Sequence, residues 1–336
     1  MKRVLSGLQP SGQLHLGNYA GAIKQFLDLQ RDHEMFVFVA SYHALTTVKD
    51  PAVLRSNIRQ VVADYLAFGL DPQLPHVHIY RQQDVPAVTE LAWLLGCVCP
   101  KSQMDKATTY KDKVDKGFSA SLGLYTYPVL QAADILGVRP DLVPVGEDQR
   151  QHIEITRELA QRFNHAYCPD ASGQGADADT AVFKIPEPMI RRDAGVLPGI
   201  DGQKMSKSYG NLIDPFLPEK QLRKTIMKIV SDSTPMEDPK DPEGDTTFQI
   251  FRAIAGVDDP RTLDLAEKYR AGNFGYGHAK QALFEMLLEH FGSARQRRAE
   301  LEKDPGYLDQ VLRDGASAAN AVIGPVVARA REAVGL

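Results

Sequence analysis

In the first half of the chain the apolar residues come in short runs, each closing on glycine or polar residues and each followed by a helical repeat. Residues 4–8 run into Gln9-Pro10-Ser11-Gly12 and His15-Leu16-Gly17-Asn18, after which Ile23, Phe26, Leu27 and Leu29 recur at helical spacing. Residues 35–40 are wholly apolar and of strand length, as a strand covered on both faces requires. Asp50-Pro51 opens a helix whose buried face, with Leu54, Ile58, Val61, Val62, Tyr65 and Leu66, extends to Gly69. Residues 76–80 give the next strand and residues 86–98 an amphipathic helix carrying the only tryptophan, Trp93. A further strand over 141–145 runs into Gly146-Glu147-Asp148-Gln149 and a helix over 150–162. This alternation predicts an α/β fold, a doubly wound parallel sheet that takes ligands at the carboxyl ends of its strands.

From Pro215 onward helix formers dominate. Helices are expected over 218–230, 261–270, 278–291 and 317–334, the last broken or kinked at Gly324-Pro325. Residues 231–245, with Pro235, Pro239 and Pro242, predict a long loop. The chain is expected to divide into a sheet domain over 1–203 and a smaller α-helical domain over 204–336. Residues 170–181 are small, polar and glycine-containing, and are expected to be a surface loop.

At 336 residues, 43% hydrophobic and 24% charged, the chain has room for a substantial core, and a net charge of -4 argues against non-specific coating of DNA or RNA. Any nucleic-acid contact must be local. Cys97, Cys99 and Cys168 are too few and too badly spaced for a disulfide framework or a closed zinc site, which fits a reducing, cytoplasmic setting. The apolar run near the N-terminus is broken by Ser6, Gly7 and Pro10, so no signal peptide is expected, and no apolar run reaches membrane-spanning length.

Four features could carry chemistry. The junctions at Gly17 and Gly146 each lead from a buried strand toward a helix start, where unpaired N–H groups and the helix dipole favour anions. Lys204-Met205-Ser206-Lys207-Ser208 lies in a stretch with Gly199, Gly202 and Gly210; it reads either as a solvated, mobile loop with no buried element or as a pair of cations free to swing onto a phosphate. Lys101, Lys106, Lys111, Lys113 and Lys116 make an exposed basic insertion at about 100–118, either a solvated face or a polyanion contact, and the same two readings hold for Arg295, Arg297 and Arg298. Asp134, amid Ala132, Ala133, Ile135 and Leu136, must either cap a local turn or face a ligand.

His15-Leu16-Gly17-Asn18 together with Lys204-Met205-Ser206-Lys207-Ser208, flanking a doubly wound sheet, resembles the paired signature of the class I aminoacyl-tRNA synthetases. Residues 6–12, 127–136 and 143–149 narrow the resemblance to the bacterial tryptophanyl-tRNA synthetase family. It implies a Rossmann-like catalytic domain, the substrates ATP (with Mg2+ held mainly by its phosphates), L-tryptophan and tRNA(Trp), and a homodimer. Carried over by position, Gln9, Pro10, Ser11, Gly17, Asn18, Gly146, Glu147, Asp148, Val196, Lys204, Met205, Ser206, Lys207 and Ser208 surround ATP. Lys204, Lys207, Lys111 and His15 serve the chemistry. Asp134 takes the indole N–H, Tyr127 and Gln149 lie about the amino group, and Leu5, His43, Gln131, Val143 and Val145 complete the tryptophan pocket. Gln131 stands where many relatives have methionine, and Tyr127, Gln131 and Asp134 also resemble the tyrosyl enzymes; Leu5, apolar where those usually place a tyrosine, favours an indole. A small-molecule nucleotidyltransferase and a silent tRNA-binding paralogue are the alternatives from other classes. Closure of the lysine loop is expected to be coupled to rotation between the two domains.

Overall fold

The computed structural model describes residues 1–107, 110, 114, 115, 117, 119–168, 181–190 and 197–336. Strands β1 (Arg3–Leu8), β2 (Glu34–Val39), β3 (Val77–Arg81), β4 (Leu142–Val145) and β5 (Glu187–Ile190) form one sheet in the order β3-β2-β1-β4-β5, with every pairing parallel. The order reverses at β1, which has β2 on one side and β4 on the other, and a crevice opens there at the carboxyl ends. This is the expected doubly wound fold. Four strands lie where the apolar runs put them, whereas β5 is short and only partly buried, and no apolar run announces it.

Val4, Met35, Val37 and Val39 pack on one face with α1 (Pro51–Phe68), while Leu5, Phe36, Phe38 and Tyr80 on the other meet α2 (Ala87–Val98), α3 (Leu122–Val138) and α4 (Arg150–Tyr167). The ends of α1 are those expected: Asp50 Oδ1 accepts from the Ala52 and Val53 N–H groups, and Gly69 ends the helix with φ 110°. Residues 101–105, the start of the lysine-rich stretch, are not simply an exposed insertion; Lys101–Asp105 is helical and Met104 is buried. Lys111, Lys113 and Lys116 lie outside the described residues, as do 170–180 of the expected surface loop.

After the lysine loop come α5 (Glu219–Ile226), α6 (Thr246–Ala255), α7 (Pro260–Ala271), α8 (Tyr276–His290), α9 (Gly292–Leu301) and α10 (Pro305–Val334). The expected break at Gly324-Pro325 is absent: α10 starts earlier than expected and runs through Pro325. Proline inside a helix costs about 3 kcal/mol, but Ile323, Val326, Val327 and Ala330 around it are all buried against the sheet domain. At about 1.5–3 kcal/mol for each large apolar side chain, that burial outweighs the local loss. The helix lies along the edge strand β3, and a Cβ added to Gly315 would stand 2.0 Å from the Ile79 carbonyl oxygen, so only glycine permits this backbone contact. In space the last helix covers the open edge of the sheet.

Where α9 meets α1 the boundary is polar and borders a cavity of about 210 Å³. Asp64, 3% exposed, accepts from Arg298 Nε at 2.6 Å, and Arg295 donates to the Pro215 carbonyl. The basic cluster is therefore neither a solvated face nor an RNA surface as a unit, because two of its three arginines hold the fold together; Arg297 is the one that faces solvent, paired with Glu300 at 3.5 Å. Replacing Arg298 by methionine strands a buried carboxylate, at a cost of about 3–5 kcal/mol, whereas an apolar pair of similar volume restores most of the loss. Thermal unfolding is expected to give a clearly lowered midpoint for Arg298→Met and a recovered one for Asp64→Leu with Arg298→Met.

Candidate active site

At the switch point the carboxyl ends of β1 and β4, with the helices that follow β1 and β2, enclose a cavity of about 490 Å³, the size of a small-molecule site. Leu5 and Val143, both buried, and Val145 supply an apolar wall from the strands. Gln131 and Tyr127 reach it from α3, His43 from the turn after β2, and Gln149 and Gly146 from the segment after β4. Seven residues expected about tryptophan thus line one cavity. The helical stretch that follows His15 contains a wide π-turn over Tyr19–Ile23, and Gly21 and Ala22 of that turn form part of the wall.

Asp134 stands on α3 between Gln131 and Ile135 and is 2% exposed. It caps no turn. His43 Nε2 lies 3.0 Å from Oδ2, and Gln82 Nε2 donates to Oδ1 at 2.9 Å and to Oδ2 at 2.7 Å. Burial pushes the Asp134 carboxyl up from the usual carboxylate range, and the hydrogen bonds from His43 and Gln82 oppose that shift. Gln82 had no place in the sequence expectations, although it follows directly on the carboxyl end of β3, where a parallel sheet presents functional side chains. His152, which pairs through Nε2 with the Tyr127 hydroxyl at 2.7 Å, was likewise missed and carries no local signal.

The loop after β1 is built from within. Gln9 Nε2 donates to the His43 carbonyl and to Thr47 Oγ1, both at 3.1 Å, and the Pro10 carbonyl accepts from Asn57 Nδ2 at 3.2 Å. Asn18 Oδ1 accepts from the His15 N–H at 3.2 Å, and a Cβ on Gly17 would come within 2.9 Å of the His15 ring. His15 is buried, and its Nδ1 has no hydrogen-bond partner among the described residues. Burial, helped by the charge of Lys207, lowers its pKa to about 4, so the imidazole is neutral at physiological pH.

The lysine loop is more ordered than its composition suggests. Pro198 and Lys204 form an antiparallel bridge, and Met205 is buried in the core, so the expectation of a segment with no buried element is corrected. Asn211 clamps the turn: its Nδ2 donates to Asp201 Oδ1 at 2.7 Å and to the Lys204 carbonyl at 3.1 Å, while its Oδ1 accepts from the Ser206 N–H at 2.8 Å. Gly202 and Gly210 take the positive φ values their composition allows, 79° and 65°; Gly199 is instead required by its contact with Asn211. Ser206 and Ser208 share a hydrogen bond of 2.8 Å, and Lys204 is exposed. Lys207 Nζ docks on the Gly12 carbonyl at 3.0 Å and Ser11 Oγ at 3.2 Å, bringing this loop to the one after β1. A second tie, from the Leu16 N–H to the Ile213 carbonyl at 2.9 Å, holds the two segments together. Burial lowers the Lys207 pKa to about 8, with the Asp64 carboxylate pulling the other way.

At the second junction Gly146 is extended, a 3-10 turn spans Glu147–Gln149, and α4 starts at Arg150. Glu147 spends its carboxylate on Arg150, at 2.7 and 3.0 Å. Lys111, Val196 and the side chain of Asp148 lie outside the described residues. The arrangement is an apolar slot with polar ends, beside a crevice where a neutral imidazole and a half-buried ammonium converge. It suits a flat amino acid next to a polyphosphate.

A family model described as "tRNA synthetases class I (W and Y)" matches residues 1–292. Tryptophan–tRNA ligase of Fusobacterium nucleatum is 46% identical over 336 residues, covering 100% of this chain and 98% of its own, and that of Rhodopirellula baltica is 48% identical over 334 residues, covering 99% of each. The crystal structure of tryptophanyl-tRNA synthetase from Campylobacter jejuni complexed with ADP and tryptophan superimposes with a TM-score of 0.88 at 42% identity, covering 99% of this chain and 100% of that one. Matched over 99–100% of its length at such identity, the chain belongs to the class I tryptophanyl-tRNA synthetases.

Proposed function

We propose that the chain joins L-tryptophan to tRNA(Trp) in two steps. The tryptophan carboxylate attacks the α-phosphorus of Mg-ATP, giving tryptophanyl-adenylate and pyrophosphate; a ribose hydroxyl at the 3′ end of the tRNA then takes the acyl group and AMP leaves. The observation that carries this reading is the docking of Lys207 on Ser11 and Gly12, which brings the lysine signature onto the loop that leads into His15–Asn18, beside the apolar cavity. The ADP and tryptophan named for the Campylobacter jejuni structure support the same ligand pair here.

Tryptophan is assigned to the cavity, its indole against Leu5, Val143 and Gln131, its N–H toward Asp134, and its amino group near Tyr127 and Gln149. ATP is assigned to the crevice, along Gln9, Gly17 and Asn18 on one side and Gly146, Glu147 and Asp148 on the other, with Val196 near the adenine and Met205 behind the loop. The reaction needs no protein nucleophile. It needs reacting groups held in line and cations where charge grows on the phosphates, which Lys204, Lys207 and Lys111 supply. A neutral His15 adds a hydrogen bond without repelling those lysines. Magnesium arrives as part of Mg-ATP, held by the phosphates, and shares their charge with the lysines.

The region over 1–203 is read as the activating unit, with 204–336 carrying the lysine loop and receiving tRNA. A homodimer is proposed, supported by Trp93 and Leu122, 74% and 76% exposed on two helices that pack together. Cytoplasmic residence is proposed as well, in keeping with three free cysteines. Among the described residues no helix is long and apolar enough to cross a membrane.

Pyrophosphate exchange into ATP, run against a panel of amino acids, is expected with tryptophan alone; exchange with tyrosine, or with none, overturns the reading. Lys207→Ala is expected to lower the exchange kcat by roughly two orders of magnitude while tryptophan affinity, measured by equilibrium dialysis, changes less than about twofold. Because the Lys207 pKa is lowered to about 8, the ammonium is complete below that pH and is lost as pH rises through it. The free-enzyme kcat/KM for ATP should therefore fall above about pH 8, and Lys207→Arg, which stays charged, should move that limb upward.

A further inference from the structure

Gln82 is 0% exposed at the carboxyl end of β3, and a buried amide is costly unless its hydrogen bonds are met. Its Oε1 accepts from the Tyr42 N–H at 2.8 Å, in the first turn of the short helix Ser41–Ala44. A main-chain N–H can face only an acceptor, so this bond fixes which end of the amide is oxygen and sends the NH2 group the other way. There it meets both oxygens of Asp134. An ionised carboxylate has about four lone-pair sites and no donor. Gln82 and His43 fill two on Oδ2, and Gln82 fills one on Oδ1, which leaves one acceptor site on Oδ1. Protonation would turn that acceptor into a donor. Burial favours the proton, whereas two donors already on the carboxylate oppose it.

We propose that Gln82 is a positioning residue for amino-acid selection: locked to the Tyr42 N–H, it orients Asp134 and keeps it an acceptor, so that side chains with a ring N–H are taken and those without one are refused. The inference rests on the reading of Asp134 as the partner of the indole nitrogen. Gln82 touches no substrate in this scheme and acts only through Asp134.

The test compares tryptophan with β-(1-benzothiophen-3-yl)alanine, in which sulfur replaces the ring N–H, by kcat/KM in pyrophosphate exchange. A site that loses a hydrogen bond to the substrate discriminates by roughly two or more orders of magnitude, and wild type is expected to show such a preference. Gln82→Met, close in length but without the amide, should cut the preference by about tenfold or more, through the tryptophan KM, with the ATP KM and the analogue's kcat/KM within about twofold. An equal fall for both substrates, with the preference intact, overturns the proposal. Should the methionine variant fail to fold, Gln82→Asn, which keeps the NH2 on a shorter arm, is judged by the same ratio. Asp134→Leu, close in shape but with no acceptor, separates the two readings. If it leaves the preference intact, the assignment of Asp134 fails and the inference with it; if it abolishes the preference while the Gln82 variant retains it, the inference alone fails.

Discussion

Parallel pairing is the constraint from which the site follows. When every strand runs the same way, all carboxyl ends fall on one rim, and each chain segment leaving that rim must turn toward a crossover. Many of the groups that define the crevice follow a strand end, Gln9 and His15 after β1, His43 after β2, Gln82 after β3, Gly146 and Gln149 after β4, while Tyr127, Gln131 and Asp134 come from α3 and Lys207 from the lysine loop. None of the strand-end positions could be buried inside a strand ladder, and none has to be gathered by a long excursion of the chain. The reversal of order at β1 opens the space between them.

The lysine loop gains its character from the same place. Lys207 is half-buried, and its partners are one carbonyl and one hydroxyl, neutral groups that satisfy an ammonium only weakly. A phosphate oxygen is the stronger acceptor, so the cation is placed to exchange partners over a short distance. The Asn211 clamp and the buried Met205 keep the backbone beneath it in register during such an exchange. Order in the loop and availability of its cation are therefore compatible, which its glycine and serine content alone does not suggest.

Much of the fold was legible because it is written locally. Short apolar runs mark β1 to β4, and Asp50-Pro51 with Gly69 mark both ends of α1; β5, half-exposed and of mixed polarity, has no such mark. What stayed hidden depends on partners far away in the chain. Gln82 and Asp134 are 52 residues apart, and neither spacing nor periodicity links them. Arg298 was read as surface because its partner Asp64 lies 234 residues earlier. Pro325 was read as a break because local propensity predicts one, and burial on the sheet overrides it. The signature segments are legible by resemblance; that Lys207 reaches the Gly12 carbonyl, just ahead of His15, is a property of the fold alone.

The contact between Gly315 and Ile79 also fixes an order of events. The edge strand β3 leaves the ribosome early, and the helix that shields it begins only at Pro305. At about 5–20 residues per second, that edge waits on the order of tens of seconds with its N–H and C=O groups open to any passing strand. A chain released before α10 is complete keeps its crevice residues but never closes its sheet. Such a truncated product is left with an edge open to pairing with another chain, even though every residue assigned to the chemistry has already been made.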